Sequence, residues 1–177
     1  IYTLSDTLSL HYALPISKVV RLKGGDPSVF GRLEEELEAL SAAGIGCEVV
    51  PGVTSALAAA AVSQQPLTRR GVGRSVAFST AMTRTGDLEA RRSADTEVFY
   101  MAGRQLPSLA ERLLEVGWEA NTPVVVISRA GWPDERFSRH TVATLAEADP
   151  LHGGRPTLVT LGAGARPVQT CTLADPC

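Results

Sequence analysis

The apolar positions of this chain fall into short runs that switch between two repeats. Lys18 to Leu22 is β-branched and alternating, which predicts a short strand emptying into Gly24-Gly25-Asp26-Pro27. Leu33, Leu37 and Leu40 then recur at helical spacing among Glu34, Glu35, Glu36 and Glu38, predicting an amphipathic helix with its acidic residues near the positive end of the dipole. Gly44 and Gly46 end that helix, and Cys47 to Val50 predicts a second strand. After Pro51-Gly52 a helix is expected from Thr54 to about Ser63, with the small residues Ala56, Ala58, Ala59, Ala60 and Ala61 on it.

Pro66 to Gly71 breaks the pattern, and alternation resumes in strands predicted at Ser75 to Ser79 and Glu97 to Met101. Leu106, Leu109, Leu113 and Val116 carry a helix that Gly117 stops. Thr122 to Ser128 is a continuous β-branched run of the kind covered on both faces, and Arg155 to Leu161 is the last clear strand. Strands alternating with helices make this an α/β chain, and the glycines and arginines from Gly71 to Arg74 put a domain boundary between two strand sets.

Composition narrows the classes. The 177 residues are 44% hydrophobic, enough for a packed core, and the net charge of -2 gives no general attraction to nucleic acid or anionic membrane. No apolar run approaches membrane-spanning length. Cys47, Cys171 and Cys177 have no metal-ligand spacing and fit a reducing, cytoplasmic setting. Fifteen arginines against two lysines either reflect genome composition or include side chains that meet carboxylates, where the planar guanidinium fork outperforms an ammonium.

Two glycine turns concentrate the candidate chemistry. Strands that end in small residues are where α/β sheets receive ligands. Pro27 suits the first turn of a helix that Asp26 would cap, and Thr54 and Ser55 are N-cap candidates for the next. Taken alone, G-G-D-P is equally a plain tight turn. The second block, V-V-P-G-V-T-S-A, favours a cleft, with Asp26 and Ser55 facing one hollow beside Met101. The L-K-G-G-D-P-S segment lacks the spacing of a phosphate-binding loop.

R-L-K-G-G-D-P-S-V-F-G, E-V-V-P-G-V-T-S-A, P-L-T-R-R-G and F-Y-M-A-G, in this order, resemble the tetrapyrrole (corrin/porphyrin) methylase family from about Lys18 to Leu161, and within it the uroporphyrinogen-III C-methylating branch. The resemblance implies two α/β domains with a cofactor cleft between them: the rest of an incomplete N-terminal domain at 18–72 and a C-terminal domain at 73–177. Residues 1–17 have no counterpart in that pattern and are expected to be foreign leader sequence. The implied activity is S-adenosylmethionine-dependent C-methylation of uroporphyrinogen III to precorrin-2, toward sirohaem or cobalamin, with S-adenosylhomocysteine as the second product. The implied cofactor contacts are Gly24, Gly25, Asp26, Val29, Thr54, Ser55, Met101 and Ala130.

No metal, triad or paired carboxylates are expected, because displacement at a sulfonium needs positioning more than proton transfer, and acid/base positions belong to an N-terminal segment not represented here. The substrate implied is a small tetrapyrrole bearing eight carboxylates, for which Arg69, Arg70 and Arg104 are the principal contacts and Arg74, Arg84 and Arg129 further ones. Departures from the family pattern fall at Leu33-Glu34, at Arg69 and at Thr80-Ala81-Met82. The family also implies a homodimer, which neither periodicity nor charge encodes. Trp132 and Phe137 suit packing or ligand contact equally, and lone His140 reads as structural. Two other functions fit the same residues: methylation of a different precorrin, or binding without catalysis.

Overall fold

The computed structural model describes residues 18–82 and 88–168. Its centre is a five-stranded sheet, β1 (Val76–Thr80), β2 (Thr96–Tyr100), β3 (Pro123–Ser128), β4 (Arg136–Thr141) and β5 (Thr157–Gly162), in the order β1-β2-β5-β3-β4. β1 and β2 are parallel, whereas β5 runs antiparallel to both β2 and β3, and β3–β4 is an antiparallel hairpin. β4 escaped sequence reading because R-F-S-R-H-T holds a single large apolar residue and shows no period of two.

Strand alternation divides the core into two layers. One face of the sheet carries Phe99, Val124, Val126, Val159 and Leu161, packed under α3 (Leu106–Glu115) and the 3-10 segment Val142–Ala148. Leu106, Leu109 and Leu113 are fully buried there, each contributing about 2 kcal/mol of apolar transfer. The other face carries Val98, Tyr100, Val125, Ile127 and Leu158 beneath Ala56 and Ala59 of α2 (Ser55–Val62). Those alanines let the α2 backbone lie close to the sheet, so the small-residue face serves packing.

The first third of the chain differs most from expectation. Lys18–Leu22 and Cys47–Val50 form no strands, and Val20 (76% exposed) and Val50 (70%) face solvent. Among the described residues no strand runs alongside either segment, and a β-prone run without a neighbour leaves its backbone to water. The helix expected at Pro27 starts instead at Leu33: Phe30 and Arg32 adopt left-handed backbone (φ 52° each), which interrupts helical continuity until α1 (Leu33–Ala42). α1 buries no residue. Its end has the expected form, with the Ile45 N–H returning to the Leu40 carbonyl at 2.9 Å.

Candidate functional site

β1, β2 and β3 all point their carboxyl ends to one edge of the sheet, because β5 lies antiparallel between β2 and β3. That edge receives Met101 from β2 and Arg129-Ala130 from β3. Both Met101 (φ 57°) and Arg129 (φ 53°) are left-handed, a backbone state that costs about 1 kcal/mol or more in a residue with a Cβ and persists where the surroundings impose it. Met101 is 44% exposed, so it does not serve as core packing.

The two glycine turns meet. Asp26 Oδ2 accepts from the Gly52 N–H at 2.9 Å, while Oδ1 accepts from the Ser28 N–H at 2.9 Å and from the Ser28 hydroxyl. The Ser28 hydroxyl, then the Gly52 and Ser28 amides, hold the Asp26 carboxyl below the usual aspartate range. Asp26 thus fastens one turn to the other instead of capping a helix. Gly25 has φ +82°, and a Cβ on Gly52 would stand 2.3 Å from the Gly25 carbonyl oxygen, so the contact requires glycine at both positions. Gly24 is different: a Cβ there would meet nothing, which leaves its backbone bordered by open space.

Thr54 occupies the N-cap position of α2 without capping it. Its hydroxyl is spent on Tyr100, Oγ1 to the phenol oxygen at 2.8 Å, both groups buried. The Tyr100 ring also meets Phe30 at a centroid distance of 4.8 Å and Phe78 at 5.7 Å. Burial raises the phenol's pKa, keeping it a neutral hydroxyl. Sequence reading passed over Tyr100, although a phenol closing a buried strand, one place before Met101, is the available signal. It joins the glycine turns to the strand end.

The predicted residues therefore sort into groups. Gly24, Gly25 and Asp26 lie against Gly52 to Thr54, and Thr54 is tied to the residue preceding Met101. Ser55 is exposed at the start of α2. Val29 and Ala130 both pack on the α2-side core layer. Two hollows, of about 620 Å³ beside Pro27, Phe30 and Leu37 and about 400 Å³ beside Asp95 and Trp118, are not lined by Ser55 or Met101. Neither of these hollows therefore unites Asp26, Ser55 and Met101.

The Arg69 guanidinium donates to the carbonyls of Arg166 (2.9 Å) and Pro167 (3.3 Å). Arg70 and Arg104 are exposed, Arg104 just beyond Met101. Arg129 pairs with Asp134 at 3.0 Å. Arg84, Cys171 and Cys177 lie outside the described residues, as does the stretch 1–17 expected to be foreign sequence. Cys47 is exposed and forms no disulfide among the described residues. Among the described residues no helix is long and apolar enough to cross a membrane, and no cluster of three metal-ligating side chains occurs.

An α/β sheet with small and left-handed residues gathered at its carboxyl edge defines the class, and comparison supplies the family. Residues 8–146 match the model for Tetrapyrrole (Corrin/Porphyrin) Methylases, and the chain belongs to that family. It is 40% identical over 157 residues to a siroheme synthase of Psychrobacter sp., covering 84% of this chain and 32% of that protein. It is 44% identical over 136 residues to the chloroplastic S-adenosyl-L-methionine-dependent uroporphyrinogen III methyltransferase of Arabidopsis thaliana, covering 73% and 37% respectively. The chain thus spans about a third of the length of these curated relatives. Among solved structures it resembles the uroporphyrin-III C-methyl transferase of Thermus thermophilus complexed with S-adenyl homocysteine, with a TM-score of 0.74 at 36% identity over 89% of this chain and 71% of that one. A cobalt precorrin-4 methyltransferase has the same TM-score at 31% identity, over 84% of this chain and 65% of that one.

Proposed function

We propose that this chain is the methyl-donor-binding portion of an S-adenosylmethionine-dependent uroporphyrinogen-III C-methyltransferase. The observation that carries the reading is the linkage Asp26–Gly52 and Thr54–Tyr100, which joins three separated stretches of predicted cofactor residues at one sheet edge. The donor set fits the group. A sulfonium ligand with an adenosine and an amino-acid end needs exposed backbone polar groups, hydroxyls and close approach, and Gly24 offers an open backbone while Ser55 offers an exposed hydroxyl.

When bound, S-adenosylmethionine supplies a methyl group on a positively charged sulfur that departs as a neutral thioether. The chain's residues have the tasks that remain. Gly24 and Gly25 let the ligand approach, ionised Asp26 holds the two turns in register, and Met101 and Ala130 form the strand-end wall. The bond-making carbon belongs to an electron-rich pyrrole of the acceptor, so positioning and water exclusion account for most of the rate gain. Arg70 and Arg104 are offered to the acceptor's carboxylates. A homodimer and a cytoplasmic setting accord with the family resemblance.

Calorimetric titration with S-adenosylhomocysteine tests the reading, using Gly24→Ala as the discriminating variant. Because a methyl group at Gly24 has space, the variant is expected to keep its melting temperature and lose at least tenfold in affinity. Absence of binding by the unmutated chain, or full affinity in Gly24→Ala, would count against the assignment. Methyl transfer to uroporphyrinogen III, set against a decarboxylated or further methylated acceptor, tests the substrate.

A further inference from the structure

Trp132 sits two residues beyond Ala130 on the loop leaving β3, and it is 61% exposed. Exposed tryptophan on a loosely held loop would carry little information, but this loop is closed. The Trp132 N–H donates to the Arg129 carbonyl at 3.0 Å, the Glu135 N–H to the Trp132 carbonyl at 3.0 Å, and the Gly131 N–H to the Glu135 carboxylate at 2.6 Å. The Arg129 guanidinium lies 4.6 Å from the indole centroid and is itself anchored by Asp134, which also pairs with Arg155 at 3.1 Å. The indole is therefore backed by a cation on one side and presented to solvent on the other.

We infer that Trp132 is a stacking platform for a pyrrole ring of a polycarboxylate macrocycle, the acceptor of the methyl group, an inference that rests on the methyl-transfer reading above. Three features select that ligand class. A rigid, one-sided indole recognises flat π systems at small entropic cost. Arg129 stands against the ring and shares the Asp134 carboxylate with Arg155, so guanidiniums suited to carboxylates are held beside the indole, which favours a carboxylate-bearing ring over a neutral base such as adenine. Its loop leaves the same sheet edge that delivers Met101 and Arg104, so a ring seated there borders the predicted methyl-donor contacts.

The test is calorimetric titration of the chain with uroporphyrin III, the stable oxidised form of the acceptor, and separately with S-adenosylhomocysteine, for the unmutated protein, Trp132→Ala and Trp132→Phe. Loss of one stacking partner is expected to weaken uroporphyrin III about tenfold in Trp132→Ala. Trp132→Phe should recover most of that loss, and S-adenosylhomocysteine affinity should move less than twofold. Unchanged uroporphyrin III affinity in Trp132→Ala overturns the inference, as does a loss confined to S-adenosylhomocysteine, which would assign the indole to the cofactor. Binding of S-adenosylhomocysteine but not uroporphyrin III by the unmutated chain sinks this inference and spares the proposed function, whereas binding of neither sinks both. Sedimentation of the same variants completes the test: a dimer lost in Trp132→Ala, with porphyrin affinity intact, would make the indole a contact between copies and overturn it too.

Discussion

At the scale of single residues, the Thr54–Tyr100 pair is the clearest mechanical link in the candidate site. Removing the phenol oxygen leaves a buried Thr54 hydroxyl without its 2.8 Å partner while the Phe30 and Phe78 ring contacts stay. Tyr100→Phe is expected to cost about 1–2 kcal/mol in urea denaturation, with the slope unchanged. It should also weaken S-adenosylhomocysteine binding, because the same bond sets α2 against the strand end that bears Met101. A variant as stable as the parent would show that Thr54 finds another partner.

His152 supplies a second residue-scale expectation. It is fully buried, its Nδ1 in contact with the Ser128 hydroxyl and its Nε2 2.9 Å from Ser138 Oγ, which in turn meets His140 Nε2 at 2.8 Å. Burial above all, then the charges of His140 and Arg155, lowers its pKa from 6.5 to about 4. The unfolded chain binds a proton near pH 6.5 that the folded chain refuses until near pH 4, so this contribution is fully present above pH 6.5 and is lost as pH falls from 6.5 to 4. Among the described residues the carboxyls with lowered values begin to lose their contributions as pH falls through their ordinary values, 4.5 for Glu36 and 3.8 for Asp26 and Asp95, so most of the window belongs to His152. Denaturation midpoints should therefore decline between pH 6.5 and 4, and His152→Gln should flatten that segment of the profile.

At the scale of elements, the legible strands are those with a partner, whereas α1 forms where its period put it without burying a residue. β2, β3, β5 and α3 appear within two residues of where their apolar periods put them, because each has neighbours that bury those positions. Lys18–Leu22 and Cys47–Val50 have the same composition signal and no strand beside them, so propensity alone did not produce strands. The site was half legible. Glycines, Thr54 and Met101 announce themselves by residue type and spacing, whereas the roles of Asp26 and Thr54 in fastening turn to turn and turn to strand depend on contacts between residues 26 and 46 positions apart. The contacts of Arg69 with backbone carbonyls nearly a hundred residues away were equally beyond sequence spacing.

The turn-to-turn contact yields an element-scale prediction. Gly52→Ala would press a methyl group to 2.3 Å from the Gly25 carbonyl, forcing the two turns apart. Affinity for S-adenosylhomocysteine should fall at least as far as in Gly24→Ala, but here accompanied by a loss of stability of about 1–3 kcal/mol. The contrast between the two glycines separates a ligand-facing backbone from a structural one. Equal behaviour of the two variants would dissolve that distinction.

At the scale of the whole molecule, stability is distributed unevenly, and ligand binding should redistribute it. The sheet and α3 hold the densest burial, whereas residues 41–53 are exposed throughout and α1 buries nothing. Local opening should thus cost little before residue 54 and approach the global value in β2, β3 and β5. Hydrogen exchange is expected to be fast for amides of 18–25 and 45–50 and slowest for Val98, Val126 and Val159. Saturating S-adenosylhomocysteine at a hundred times its Kd adds about 2.7 kcal/mol to whatever state binds it. If the binding surface is the joined glycine turns, that increment should appear as slowed exchange at 24–29 and 52–56 and at Met101, while the β4 edge, Arg136 to Thr141, stays unchanged. Protection spread evenly over the sheet would instead mean that the ligand reports global folding, and protection confined to β4 would move the site away from the joined glycine turns.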